Sequence, residues 1–86
     1  MRSFIEKLAK LVEIEGVWTG GTVYKVLYYE IWYIIGYLSE VTIKNNITQE
    51  KAHIKLYEEE RDILRKAFER CEERTTDSII EQLNNL

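Results

Sequence analysis

The stretch TVYKVLYYEIWYIIGYLSEV, residues 22–41, decides the fold, because its composition and its spacing give opposite answers. Its valines, isoleucines, tyrosines and tryptophan favour strand. At ~100° per residue, however, Val23, Leu27, Ile31, Ile34, Leu38 and Val41 fall on one side and Lys25, Tyr29, Gly36 and Glu40 on the other. No strict two-residue alternation runs through the stretch, so the spacing predicts a helix from Thr22 to about Val41. The competing reading is a strand pair that turns at Gly20-Gly21, with Val12 to Trp18 returning as Thr22 to Tyr28. Val41-Thr42-Ile43 suits extended chain in either case.

On either side of this stretch the punctuation comes from glycine and asparagine, since the chain has no proline and only four glycines. Breaks fall at Gly16-Val17-Trp18-Thr19-Gly20-Gly21, at Lys44-Asn45-Asn46 and, more weakly, at Arg74-Thr75-Thr76. Before them, Ser3 to Glu15 spaces Phe4, Leu8 and Leu11 on one line and Ile5, Leu8 and Val12 beside it, the pattern of an amphipathic helix. Ser3 and Glu6 form a capping-box pair, and Gly16 suits a left-handed helix terminus. Thr48 to Arg74, free of glycine, reads as a long helix with Leu56, Tyr57, Ile63, Leu64, Ala67, Phe68 and Cys71 on its apolar stripe, and Asp62 and Lys66 as an i,i+4 pair. Thr76 to Leu86 reads as a short helix carrying Ile79, Ile80, Leu83 and Leu86.

The expected fold is therefore all-α: an antiparallel helical hairpin or bundle of three main helices plus a short C-terminal one, near coiled coil, in a single domain 1–86. The alternative is α+β, with a β-hairpin around residues 12–28. Eighty-six residues make a thin core, burying roughly 60 to 65% of the unfolded surface, and a 27-residue helix is ~40 Å long, longer than so small a domain is wide. Both points lead us to expect a homodimer, or docking on a larger protein partner.

Composition excludes several classes. Hydrophobic residues at 45% are too many for a disordered chain, and charged residues at 31% are too many for a membrane protein. Val23 to Leu38 is too short for a membrane span and carries Lys25 and Glu30. Glu6, Lys7 and Lys10 interrupt what would be a signal peptide, so a cytoplasmic location is expected. The lone Cys71 rules out an intrachain disulfide and, with Glu72 and Glu73 beside it, lacks the basic surroundings of a nucleophile. No Ser-His-Asp or Cys-His pairing suggests itself, and Gly20-Gly21-Thr22 is no phosphate loop because no lysine stands where one is needed. We expect no cofactor and no enzymatic activity.

Three polar residues stand out as candidates for burial. On the helical projection Glu30 sits among Val23, Val26, Ile34 and Tyr37, and the hairpin would set it against Glu60 and Arg61, which predicts an ion pair with Arg61 or Arg65. Glu60 lies on the stripe of the long helix. His53, the only histidine, shares that stripe, and Glu50 precedes it by three. This Glu-x-x-His spacing occurs in carboxylate-bridged metal bundles, which makes Glu50 and His53 weak metal candidates. His53 and Glu60 are two helical turns apart, too far for one centre.

The densest feature is aromatic: Trp18, Tyr24, Tyr28, Tyr29, Trp32, Tyr33 and Tyr37. As a helix the stretch would show two ridges, Tyr24/Tyr28/Trp32 and Tyr29/Tyr33/Tyr37, and such residues carry much of the energy at protein interfaces. The leading expectation is a small non-enzymatic interaction or oligomerisation protein acting through that face. A nucleic-acid-associated dimeric regulator is the second, disfavoured because acids match the basic residues of the long helix and cancel the field that nucleic acid needs. A carboxylate/histidine metal-binding bundle is the third.

Overall fold

The computed structural model describes residues 2–33 and 39–86. Two helices enclose a run of strands: α1 (Arg2–Glu15), β1 (Val17–Gly20), β2 (Val23–Val26), β3 (Tyr29–Tyr33), β4 (Glu40–Asn45), β5 (Lys51–Lys55) and α2 (Glu58–Asn84). The strands pair in chain order as a five-stranded antiparallel meander. The fold is α+β, which corrects the all-α bundle, the helical hairpin and the coiled coil expected from the sequence.

The reason lies in the quoted stretch. β2 and β3 join through the two residues Leu27 and Tyr28, because Val26 pairs directly with Tyr29. Core-facing side chains are Tyr24 and Val26 before the turn and Ile31 and Tyr33 after it, so the inward phase passes from even to odd numbers across it. A single period laid over the whole stretch therefore finds no alternation, although each strand alternates by itself. The turn also lacks a glycine or asparagine. Leu27 takes φ 57° there, a left-handed conformation that a leucine side chain disfavours. A hairpin does turn at Gly20-Gly21, both glycines having positive φ, but it spans residues 17–26 and begins only after α1 has ended.

The two helices cover one face of the sheet, α1 lying against β2 and α2 against β1. Ile5, Leu8, Ala9 and Val12 of α1 meet Leu64, Ala67, Phe68 and Cys71 of α2 over Tyr24, Val26, Ile31 and Val41. The Phe68 ring stacks on both Tyr24 and Tyr33, at centroid distances of 4.3 and 4.9 Å. The Tyr24 hydroxyl donates to Glu72 at 2.9 Å and lies 3.3 Å from the Tyr33 hydroxyl. Burial first, then these partners, hold the Tyr24 phenol protonated far above its ordinary range.

With an odd number of strands between them, α1 and α2 run parallel rather than antiparallel. Arg2 pairs with Glu59 near their starts and Arg70 with Glu13 near the end of α1. Arg74 then clips the C-terminus of α1, its Nη2 donating to the carbonyls of Gly16 at 2.6 Å and Val12 at 3.2 Å, and its Nε to that of Glu13 at 3.2 Å. The Val12 carbonyl also accepts the Gly16 N–H at 3.0 Å, whereas Glu13 lies in the last turn, where a helix end leaves carbonyls without internal partners. Gly16 is not left-handed, contrary to the sequence reading. It is there for space, since a Cβ would lie 2.5 Å from the Val12 carbonyl oxygen. Ser3 lies inside α1, whose first turn is tied instead by an Arg2–Glu6 pair at 3.1 Å.

The long helix has the predicted length of 27 residues, but it runs from Glu58 to Asn84 instead of from Thr48 to Arg74. Thr75 and Thr76 do not break it. The Thr75 hydroxyl accepts the Trp18 backbone N–H at 3.1 Å, tying the helix to β1. From Thr76 onward every residue is exposed, so the last third of α2 projects past the domain.

Candidate functional site

The face of the sheet turned away from the helices carries no covering element among the described residues. Cross-strand partners set Val23, Trp32, Thr42 and His53 in one row and Lys25, Glu30, Lys44 and Lys51 in the next. Side chains so paired have Cβ atoms ~4.5–5.5 Å apart and act on one another directly. Trp32, Thr42, Lys44, Lys51 and His53 together line an open groove of about 390 Å³.

Each wall of the groove has an identifiable support. The Trp32 indole is 45% exposed, and its Nε1 donates to Glu30 Oε2 at 3.1 Å. The other Glu30 oxygen accepts from Asn46 Nδ2 at 3.2 Å, so the carboxylate fixes the edge of the ring and leaves its face to solvent. His53 Nδ1 lies 2.8 Å from Thr42 Oγ1 and 3.6 Å from Glu40 Oε1. Lys44 and Lys51 enter no ion pair among the described residues. Asn45 shapes the loop that joins the two strands bearing them, its Oδ1 accepting from the N–H groups of Ile47 at 2.9 Å and Thr48 at 3.2 Å.

Charge is divided between the layers. Residues 16–57 hold four lysines and three glutamates, whereas α1 and α2 hold eight basic and twelve acidic residues. The helices thus carry a net -4 and residues 16–57 a net +1, which together make the -3 of the chain.

The candidates from the sequence are scattered by this fold. The seven aromatics form no helical ridge. Tyr24 and Tyr33 belong to the core stack, Tyr28 and Tyr29 lie ring to ring at 4.6 Å beside the β2–β3 turn, and Trp18 on β1 donates through Nε1 to the Gly21 carbonyl at 3.0 Å. Only Trp32 lines the groove, and Tyr37 lies outside the described residues. Glu30 does not meet Glu60, Arg61 or Arg65; it faces the opposite side of the sheet, and Arg65 pairs with Asp62 at 3.4 Å, in place of the expected Asp62–Lys66 pair. Glu60 is buried because it sits at the start of α2 and accepts the Tyr57 N–H at 2.9 Å. Glu50 precedes β5 and His53 stands within it, so the helical Glu-x-x-His element does not form. Among the described residues no group of three or more His, Cys, Asp or Glu side chains converges as a metal site. Cys71 is buried, and burial raises its thiol pKa against the lowering effect of Arg74 and Thr75.

Thr42, Lys44 and Lys51 were missed as site residues, yet a signal for them exists. Lys51-Ala52-His53-Ile54-Lys55 alternates strictly between polar and apolar, which is strand spacing. Read as the start of a long helix, it lost that meaning. No family model, no curated protein and no solved structure matches this chain.

Proposed function

We propose that this chain is a non-enzymatic binding module whose bare sheet face takes single-stranded nucleic acid. The observation that carries this reading is the groove in which an exposed, edge-anchored Trp32 stands beside the unpaired ammonium groups of Lys44 and Lys51. An unpaired base stacks on such a ring at ~1–3 kcal/mol, and neighbouring lysines meet the phosphates on either side of it. Thr42 and His53 border the same space with hydrogen-bonding groups for a base edge or sugar hydroxyl. A duplex hides the faces of its bases and is the poorer ligand. Cys71, buried and with its thiol pKa raised, is no nucleophile for a competing enzymatic reading.

The working unit in this reading is a homodimer, supported by the exposed apolar end of α2, and its location is the cytoplasm, which suits a single unpaired thiol. No described helix is long and apolar enough to cross a membrane.

Fluorescence anisotropy with a labelled ten-residue oligothymidylate or oligouridylate at low salt tests the ligand. Wild type should bind with a log–log salt slope of about -1.4, for one phosphate contact each from Lys44 and Lys51. Trp32→Ala should weaken binding by roughly tenfold or more, the value of one stacked base. An absence of binding at 50 mM salt, or binding indifferent to Trp32→Ala and to Lys44→Ala/Lys51→Ala, would overturn the proposal.

A further inference from the structure

Glu30 is an anion in the middle of a basic row. Its cross-strand partners are Lys25 on one side and Lys44 on the other, with Lys51 next beyond Lys44. Side chains so placed have Cβ atoms ~4.5–5.5 Å apart, close enough for an ion pair with either neighbour. None forms among the described residues. Both carboxylate oxygens are engaged elsewhere, Oε2 accepting the Trp32 indole N–H at 3.1 Å and Oε1 accepting from Asn46 Nδ2 at 3.2 Å. Charge alone would have drawn the group to a lysine.

The second of these partners is itself held. Asn46 donates its backbone N–H to the Tyr28 carbonyl at 2.9 Å, and its own carbonyl accepts from Gln49 Nε2 at 2.7 Å, so the amide that grips Oε1 is fixed in the β4–β5 loop. Glu30 therefore ties the ring edge to that loop. Hydrogen bonds to an ionised group are roughly twice as strong as neutral ones, which suits them to hold a half-exposed indole in one orientation.

We propose that Glu30 makes the groove select strands that carry nucleobases over bare polyanions. It acts through Trp32. A ring held in place offers its face to a base at all times, whereas a ring free to turn offers it for part of the time, and affinity falls by that fraction. Toward phosphates alone the same carboxylate is a hindrance, since it lowers the positive potential of the lysines beside it. The two effects have opposite signs, and the ligand decides which is seen. This inference rests on the single-strand reading above and makes Glu30 a positioning residue within it.

Fluorescence anisotropy with two probes of equal length and backbone charge separates the effects: oligothymidylate, and an oligomer of abasic deoxyribose phosphate. Wild type should prefer oligothymidylate. Glu30→Ala should weaken that binding by roughly threefold or more, approaching the loss from Trp32→Ala, and should tighten the abasic oligomer by roughly twofold. Glu30→Gln loses the charge but keeps one acceptor, so it should tighten the abasic oligomer as much and give up less of the oligothymidylate. In the ligand-free protein, NMR should show faster exchange of the Trp32 indole N–H in Glu30→Ala, with the Trp18 indole, bonded to the Gly21 carbonyl, as the internal reference. Circular dichroism controls for folding, and should Glu30→Ala not fold, Glu30→Gln carries the same comparison. A wild type that binds neither probe, or both equally, sinks the single-strand reading and this inference with it. If wild type prefers oligothymidylate but both probes shift in the same direction in the Glu30 variants, or the Trp32 indole exchange does not change, the role of Glu30 is overturned and the reading stands.

Discussion

The two faces of the sheet are made from the same strands and obey opposite rules. On the covered face, Tyr24, Ile31 and Val41 lie under the helices with no solvent exposure, and the one hydroxyl among them is satisfied by Glu72. On the bare face the same strands present Lys25, Trp32, Thr42, Lys44, Lys51 and His53, mostly in water. An alternating strand places both sets in one short sequence, and the difference lies in what covers them. The covered face answers for stability, and the proposed function assigns binding to the bare one.

That division is open to a direct challenge. Phe68→Ala removes the ring that joins Tyr24 and Tyr33 and should cost ~3–5 kcal/mol, a large share of what a domain of this size has. Trp32→Ala, of comparable volume change, should cost about 1 kcal/mol or less, because its ring face is already wet. Chemical denaturation of both variants measures the contrast. Equal losses would show that Trp32 is part of the core and would remove the basis for the groove.

How much of this was legible in the sequence follows the same line. α1 was readable from the spacing of Ile5, Leu8 and Val12, and so was the Glu58 to Arg74 part of the long helix, because an amphipathic helix repeats its signal over many turns. The equal length of 27 residues is a coincidence of ten residues too many at one end and ten too few at the other. The sheet was not, for two reasons. Val23 and Trp32 are apolar on the bare face, which blurs the alternation that would have marked β2 and β3. The turn between those strands carries Leu27 and Tyr28 instead of glycine or asparagine, and it shifts the phase as it passes. The Lys51–Lys55 alternation was clean, but a preference for one long glycine-free helix absorbed it. The candidate site shared that fate: Trp32 and His53 stand out in the sequence, while Lys44 and Lys51 become their neighbours only once β3, β4 and β5 are paired.

Between the covered core and its edge stands Arg74, which tests whether the helix layer is held by packing alone. Its three hydrogen bonds to the carbonyls of Val12, Glu13 and Gly16 are charge-assisted and have no other side-chain donor at the end of α1 among the described residues. Hydrogen bonds to charged groups contribute ~1.5–3 kcal/mol, so Arg74→Ala should lose about 2 kcal/mol, and Arg74→Lys should recover only part of it because one ammonium cannot span three carbonyls. Thermal unfolding of the pair measures this. A loss below ~0.5 kcal/mol would mean that packing alone holds the helices to the sheet.

The smallest effect belongs to the turn that both faces share. Leu27 holds φ 57°, is 69% exposed, and has no core contact to compensate for the backbone strain. A left-handed conformation costs an L-residue roughly 1 kcal/mol, which glycine avoids, although glycine also gives the unfolded chain more freedom to lose. The two terms nearly cancel for Leu27→Gly, with a net gain of about 0.5 kcal/mol or less. Leu27→Asn keeps the conformational preference without the full entropic cost and should gain slightly more, ~0.5–1 kcal/mol. Since the substitution touches neither the groove nor the helices, oligonucleotide affinity should stay unchanged while the melting temperature rises by a few degrees. A destabilised Leu27→Asn would show that the leucine side chain is held by a contact that the turn needs, and the tip of the sheet would then belong with the covered face.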